Sequence, residues 1–194
     1  MSVFLDIIGS LILIGILMTA IFGITVNLNQ TAHEKSFQLN MQTNCLSLAK
    51  VIVSDFVKIG YHVPDSIASI ISADSTSIVF AADLQNNNIL DTVGYYISST
   101  TAPVVASTKN PRDRVIYRTM NGQSSINMNL GLTDFKLTYF DTLGAKTTIP
   151  SQIRSVNIKM RFESPERVMM PTDSPADTLY PGVFWEKRIY PRNL

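Results

Sequence analysis

Side-chain oxygens recur along one short polar stretch, the segment from Asp83 to Asp91 (DLQNNNILD). Oxygen atoms at alternate positions are what a hard cation such as calcium binds. A calcium loop of the EF-hand type would, however, have glycine where Asn88 stands and a bidentate acid where Gly94 stands. We therefore favour a hairpin turn in which an asparagine adopts the left-handed conformation, with a calcium loop as the alternative.

The other reactive side chains lack the arrangements that catalysis requires. The single cysteine, Cys45, cannot form an internal disulfide, and with only His33 and His62 beside it no thiolate metal cage is available. We expect Cys45 to be a buried thiol and both histidines to lie at the surface. Trp185 is expected in the core, with a binding aromatic as the alternative. With no phosphate-binding glycine loop and no nucleophile–base pair, we expect no catalytic residue, no metal and no cofactor.

The composition locates the unusual part of the chain. The 194 residues include 45% apolar and 16% charged side chains, with a net charge of +1. This length and apolar share fit one folded unit with an appendage. Because no lysine or arginine cluster occurs, the sequence lacks the basic surface that a nucleic-acid partner requires.

The charge deficit lies at the N-terminus, where Ile7 to Ala32 contains no charged residue. As a helix, this segment is long enough to cross a hydrocarbon layer of about 30 Å. A cleaved secretory signal would begin with basic residues, whereas Met1 to Leu5 has none. We therefore expect a retained transmembrane helix, which on its own could be a simple membrane anchor.

Two features of this helix favour contacts with other helices or subunits in addition to membrane anchorage. Asp6 stands at the start of the apolar run, where an uncompensated charge costs a few kcal/mol unless it reaches the interface or a cation. An N-terminal amine, its own or that of a neighbouring subunit, is a suitable partner; a headgroup-level position at a helix N-terminus is the alternative. Gly9, Gly15 and Gly23 are small residues that let helices approach closely, although their spacing is not a strict motif.

The helix is predicted to continue beyond the membrane segment, because the only glycine between Gly23 and Pro64 is Gly60. Within 30–60, apolar residues recur at steps of three and four and predict one buried stripe. The stripe comprises Phe37, Met41, Cys45, Leu48, Ile52, Phe56 and Ile59. The opposite, polar face is assigned Glu34, Lys35, Gln38, Gln42, Lys50, Asp55 and Lys58. We divide the chain into a transmembrane segment (1–29), an amphipathic continuation (30–60) and a β-rich domain (61–194).

In the β-rich domain, apolar residues recur at every second position, most clearly from Val156 to Phe162. Turn-rich pieces separate further strand candidates, which implies an antiparallel sheet. These candidates are Ser77–Ala82, Thr92–Ser98, Arg114–Met120, Phe135–Phe140 and Val183–Tyr190. We also expect a short helical turn in Val63–Ala73 and an irregular, proline-rich excursion over 164–182. The predicted fold class is α+β, with a long N-terminal helix packed on an antiparallel sheet.

The order of these segments resembles that of type IV pilin-like subunits, most closely the minor pilins and pseudopilins of the W and J types. Asp55–Tyr61 (DFVKIGY) resembles the end of their long helix, and Ser77–Ile97 resembles their first hairpin. Val115–Gly122 (VIYRTMNG) is similar to their arginine-bearing middle strand. Leu132–Gly144, Ile153–Met160 and the ending Arg188–Leu194 (RIYPRNL) complete the likeness.

The resemblance implies a filament role for the N-terminus. Pilin precursors begin with a short basic leader, whereas this sequence opens with MSVFLD. If only Met1 is removed, Ser2 becomes the first residue and Asp6 the fifth, the position of the family's assembly glutamate. That glutamate is thought to neutralise a neighbour's N-terminal amine, and the resemblance carries this role to Asp6. Ser2, Phe4, Gly9, Gly15 and Gly23 complete the assembly residues that we expect.

The resemblance also implies location and partners. We expect a structural, minor subunit of a type IV pilus-like or type II secretion pseudopilus-like filament, held in the bacterial cytoplasmic membrane with its domain outside. Its partners would be membrane lipid before assembly, then copies of itself or sibling subunits, and the assembly machinery. The alternative is a membrane-anchored extracytoplasmic binding or sensor domain that does not polymerise.

Overall fold

One long helix and two antiparallel sheets make up the computed structural model, which describes residues 2–103, 105, 108–127, 131–165 and 180–194. Helix α1 runs from Ser2 to Val57. The chain divides into two compact units, Met1–Leu39 and Asn40–Leu194. The α+β class expected from the sequence is confirmed, and the second unit holds every strand.

The second part of α1 is held by an apolar stripe. From Met41 to Ile59 the predicted stripe residues are all buried, with exposed fractions of 4% or less, whereas Phe37 is half-buried. Leu48, Ile52 and Phe56 belong to the same hydrophobic cluster as the inward side chains of both sheets. Burying each such side chain contributes about 1.5–3 kcal/mol. Packing of this stripe therefore stabilises the helix on the sheets, as its spacing predicted.

The helix ends where Gly60 adopts a left-handed backbone with φ of +78°. Its N–H donates to the carbonyl oxygen of Ala81 at 3.1 Å, which connects the helix end to the first sheet. A Cβ atom at this position would lie 2.7 Å from the carbonyl oxygen of Asn193. Only glycine satisfies both the conformation and the close approach.

The first sheet has five strands in the order β1-β2-β3-β4-β5, each antiparallel to its neighbours. The strands are β1 (Ile70–Ala73), β2 (Ser77–Ala82), β3 (Asp91–Ile97), β4 (Ile116–Met120) and β5 (Gln123–Asn127). A two-residue turn, Asn121-Gly122, joins β4 to β5, and both residues have positive φ. This is the type I′ geometry that matches the twist of a hairpin.

The second sheet has three strands in the order β6-β7-β8. They are β6 (Leu132–Phe140), β7 (Ser155–Glu163) and β8 (Gly182–Ile189), and a single 3₁₀ turn, Pro150–Gln152, precedes β7. The Leu137 N–H donates to the Ser75 carbonyl at 2.7 Å, and the Arg114 N–H donates to the Leu132 carbonyl at 2.7 Å. These bonds connect the second sheet to loops of the first.

The structure corrects three expectations about the β-rich domain. The chain forms two sheets where one was expected. The helical turn expected in Val63–Ala73 is wrong for its second half, because Ile70–Ala73 pairs with β2 as a strand. Strand β5 was not predicted, although β2 has the predicted bounds and the other predicted strands lie within three residues of theirs. The proline-rich excursion at 164–182 lies mostly outside the described residues.

Replacing Gly60 should separate backbone strain from steric conflict. We expect Gly60→Ala to lower the free energy of unfolding by about 2–4 kcal/mol, because the left-handed conformation alone costs about 1–2 kcal/mol and the new Cβ meets the Asn193 carbonyl. Gly144→Ala is the matched control, since Gly144 has φ of +79° but nothing lies within 4 Å of its Cβ position. Urea unfolding followed by Trp185 fluorescence measures both. Equal losses would show that the close approach to Asn193 has no energetic effect.

Candidate functional site

The first unit presents an apolar helical surface. Large apolar side chains from Val3 to Leu28 are exposed by 40–71%. By length and composition α1 is able to cross a membrane, and none of its most apolar window is buried within the protein. This surface is compatible with anchorage in a membrane.

The hydroxyl groups on this surface are already satisfied. Ser10, Thr19 and Thr25 each donate to a backbone carbonyl three or four residues earlier, at 2.8, 2.8 and 2.9 Å. In a low-dielectric environment, an unpaired hydroxyl costs free energy. Because these groups bond within the helix, they do not oppose contact with lipid or with another apolar helix.

The expected assembly residues lie on this unit, and the described side chains make no contact that would explain these residue types. A Cβ atom at Gly9, Gly15 or Gly23 would meet nothing within 4 Å. Phe4 is 70% exposed. Asp6 is exposed and, among the described residues, forms no hydrogen bond or ion pair. Ser2 begins the helix, and only its backbone is described.

A buried polar cluster joins the second half of α1 to the first sheet. The Asp55 carboxylate, 8% exposed as a residue, accepts a hydrogen bond from the Tyr95 hydroxyl at 2.5 Å. The same oxygen, Oδ2, accepts from Arg118 Nε at 2.7 Å. Tyr95 and Arg118 are direct cross-strand partners on β3 and β4, so both side chains reach the helix from one face. Phe56 packs edge-on against Tyr95, with ring centroids 5.5 Å apart.

Charge and burial act together in this cluster. Burial raises the pKa of the Tyr95 hydroxyl, and the negative charge of Asp55 raises it further, so the hydroxyl remains a donor. For Arg118, burial lowers the pKa, but the hydrogen bond and charge of Asp55 outweigh this and raise it above its usual value. The cluster is therefore a largely buried ion pair with an additional neutral donor, an arrangement that fixes the helix against the sheet.

The placement of Asp55 corrects the sequence interpretation, which assigned this residue to the exposed polar face. Asp55 lies seven residues after Leu48 and three after Ile52, spacings that place it beside the buried stripe. The sequence shows this spacing, but Asp55 was assigned to the polar face because of its charge. Arg118 was noticed only through the resemblance of its strand.

The Asp83–Asp91 stretch forms the β2–β3 hairpin loop. Asp83 is fully buried and accepts from the backbone N–H groups of Asn87 and Asn88 at 3.1 and 2.9 Å. Asp91 accepts from the Leu84 N–H at 3.3 Å and from the Asn121 side chain at 2.8 Å. Both carboxylates are thus occupied by N–H donors. No group of three or more histidine, cysteine or acidic residues able to hold a metal occurs in the part of the chain that the structure describes.

The left-handed asparagine expected in this loop is confirmed, since φ is +59° at Asn86 and +61° at Asn88. Burial alone would raise the pKa of Asp83, but hydrogen bonds from Asn88, His62 and the Asn86 and Asn87 amides lower it below its usual value. His62 Nδ1 lies 3.1 Å from the Asp83 carboxylate. Asp83 therefore stabilises the loop by accepting hydrogen bonds from the backbone of the loop itself.

The remaining candidate residues are distributed as follows. Cys45 is 2% exposed, as expected for a buried thiol, and burial raises its pKa. His33 and His62 are exposed, also as expected. Trp185 is half-buried and packs against the core cluster from β8, while one side of its ring lines an open groove.

Comparison of the chain with protein families, with curated proteins and with solved structures gives no match.

Breaking the Asp55 cluster should cost much of the stability of the domain. We expect Asp55→Ala to lower the free energy of unfolding by about 3–5 kcal/mol, because it removes the carboxylate that the partly buried Arg118 guanidinium and the Tyr95 hydroxyl both bind. Tyr95→Phe, which removes one hydrogen bond to a charged group, should cost about 1.5–3 kcal/mol. Urea unfolding of the detergent-solubilised chain measures both, and Asp65→Ala, at an exposed acid, is the control. Equal effects of Asp55→Ala and Asp65→Ala would contradict a structural role for the cluster.

The lowered pKa of Asp83 predicts a specific pH dependence. The unfolded pKa is about 3.9, so the stability contributed by the ionised Asp83 is complete above that pH and is lost as the pH falls through the lower folded pKa. We expect Asp83→Asn to be less stable than the parent chain near neutral pH, and we expect the difference to shrink as the pH falls below about 3.9. Urea midpoints measured across this range give the comparison, with Asp65→Asn as control. A difference that stays constant with pH would exclude the linkage.

Proposed function

We propose that this chain is a structural, non-enzymatic and minor subunit of a type IV pilus-like or type II secretion pseudopilus-like filament. The observation that carries the proposal is the exposed apolar surface from Val3 to Leu28, where the hydroxyls are satisfied and the acid near its start, Asp6, has no partner among the described residues. Such a surface is suited to contacts outside its own chain. The resemblance of the segment order to pilin-like subunits supports the same assignment.

Assembly in this proposal exchanges one apolar environment for another. Before assembly, lipid covers the side chains from Val3 to Leu28; afterwards, helices of neighbouring subunits cover them. The three glycines, at which an added Cβ meets nothing, would permit close helix–helix approach. Because the hydrogen bonds of the backbone and of Ser10, Thr19 and Thr25 remain inside the helix, the exchange leaves none of these polar groups unpaired.

Asp6 would set the register between subunits. A carboxylate among apolar helices is costly unless a cation meets it, and an N-terminal amine of the adjacent subunit would do so. Only one stagger of neighbouring helices brings the two groups together. Phe4 and Ser2 lie in the same first turns and would contact the neighbour at that stagger.

The proposed location follows from this mechanism. The subunit would reside in the bacterial cytoplasmic membrane through α1, with the β-rich unit on the extracytoplasmic side, and would enter a periplasmic or extracellular filament. Its partners would be lipid, copies of itself or sibling pilin-like subunits, and the assembly machinery.

Fractionation tests the proposal directly. Native cells are sheared, filaments are pelleted, and the chain is quantified by mass spectrometry in the filament and membrane fractions, together with its N-terminal peptide. Recovery in filaments with a peptide that begins at Ser2 supports the proposal, and low abundance there identifies a minor subunit. Exclusive recovery in the membrane with Met1 retained would replace the proposal by the anchored binding or sensor domain.

Removal of the acid tests the register mechanism. We expect Asp6→Ala to insert normally into the membrane but to reduce recovery in filaments about tenfold or more, because a loss of a few kcal/mol in subunit pairing corresponds to at least that factor. Asp6→Glu keeps the charge with one more methylene and should retain most incorporation. Asp65→Ala removes an exposed acid outside the helix and is the matched control. Normal incorporation of Asp6→Ala would rule out the register role.

A further inference from the structure

Strand β8 forms one edge of the second sheet. Its eight residues pair with β7 on one side, and on the other side no strand of the described part of the chain pairs with them. The outward backbone N–H and C=O groups of an edge strand are available for another strand to bind. This edge belongs wholly to the second unit.

An open apolar groove runs beside this edge, between β8 and α1. Leu46, Ala49 and Val53 of the helix and Trp185 of β8 supply its apolar lining, and its volume is about 370 Å³. Trp185 stands opposite Met160 in the strand register, and Met160 is fully buried in the core. The groove therefore lies on the same face of the second sheet as its buried core side chains, beside the edge strand β8.

The charges around the groove have one sign. Lys50 of α1 and Lys187 of β8 line it, together with Ser54, and no acidic residue does. Neither lysine forms an ion pair among the described residues. On the opposite face of β8 the pattern differs, since Glu186 pairs with Lys159 at 3.1 Å. On the groove face, by contrast, Lys50 and Lys187 have no acidic residue beside them in the lining.

We propose that β8 and this groove bind an extended acidic segment of a partner polypeptide, which adds to the sheet as a fourth strand. Main-chain hydrogen bonds to the β8 edge would supply affinity, and alternate side chains would enter the groove. Apolar side chains would cover Trp185, and carboxylates would meet Lys50 and Lys187. A second β8 is a poor occupant, because it would bring another Lys187 against the two lysines already present. The inference does not depend on the filament proposal.

The position of Trp185 allows a direct measurement, because it is the only tryptophan of the chain. The probe is an acetylated ten-residue peptide of alternating valine and glutamate, titrated into the full chain in maltoside micelles. We expect a saturable blue shift of Trp185 emission as the peptide excludes water from the ring. The corresponding valine–lysine peptide should bind at least tenfold more weakly. A valine–glutamate peptide with alternate backbone nitrogens methylated should also bind at least tenfold more weakly, because it lacks the N–H groups that would donate to the β8 edge.

Charge reversal supplies the matched test of the site. The double variant Lys50→Glu/Lys187→Glu should weaken binding of the glutamate peptide at least tenfold and strengthen binding of the lysine peptide. The control Lys136→Glu/Lys146→Glu makes the same change in net charge at two exposed lysines outside the groove and should leave both affinities unchanged. Circular dichroism of each variant confirms that the fold is retained.

Three results would overturn the proposal. One is an emission spectrum that the glutamate peptide does not change at millimolar concentration. Another is equal weakening by the groove and control charge reversals, which would indicate a general charge effect. The third is a shift produced by phosphatidylglycerol vesicles, lost in the Lys50→Glu/Lys187→Glu variant, while the peptide produces none; this result would assign the groove to a lipid surface.

Discussion

The fold depends on the burial of one carboxylate, that of Asp55, between helix and sheet. A buried charge requires both a countercharge and hydrogen-bond donors, and Arg118 and Tyr95 supply them from directly opposed positions on β3 and β4. A slip of either strand by one residue would turn its side chain to the other face of the sheet and remove one of the two donors to Asp55. The cluster therefore selects the strand register as well as the position of the helix.

Much of the architecture could be predicted from residue periodicity. The helical stripe from Met41 to Ile59 is buried as predicted, because spacings of three and four place apolar residues on one face whatever the tertiary context. Strand β7 was found by its alternation for the same reason. Strand β5 was missed because its polar sequence, QSSIN, carries no apolar alternation. The Asn121-Gly122 turn before it was the available signal, since that dipeptide is the strongest short-range indicator of a hairpin.

The remaining misses concern tertiary contacts. Asp55 lies at a spacing that places it beside the stripe, but nothing local reveals that Arg118, 63 residues later, would be its partner. The arrangement of the strands as two sheets, joined by loop contacts such as that between Leu137 and Ser75, is encoded by no periodicity. Ile70–Ala73 forms a strand because β2 offers it a free edge, and this pairing overrides local preference. For Asp6 and the three glycines, no contact among the described residues explains the residue type, so we expect their roles to lie in contacts with neighbouring molecules.

The contact between Gly60 and the Asn193 carbonyl has a practical consequence for how this protein is labelled. Residue 193 lies against the end of the helix, and Leu194 packs on the core cluster. An affinity tag or fluorescent protein fused directly after Leu194 would strain these contacts and disturb the end of the helix. The Leu143-Gly144 turn is a better insertion point, because Leu143 is 92% exposed and nothing lies near the Gly144 Cβ position. A short epitope there would report on location and assembly with the helix end undisturbed.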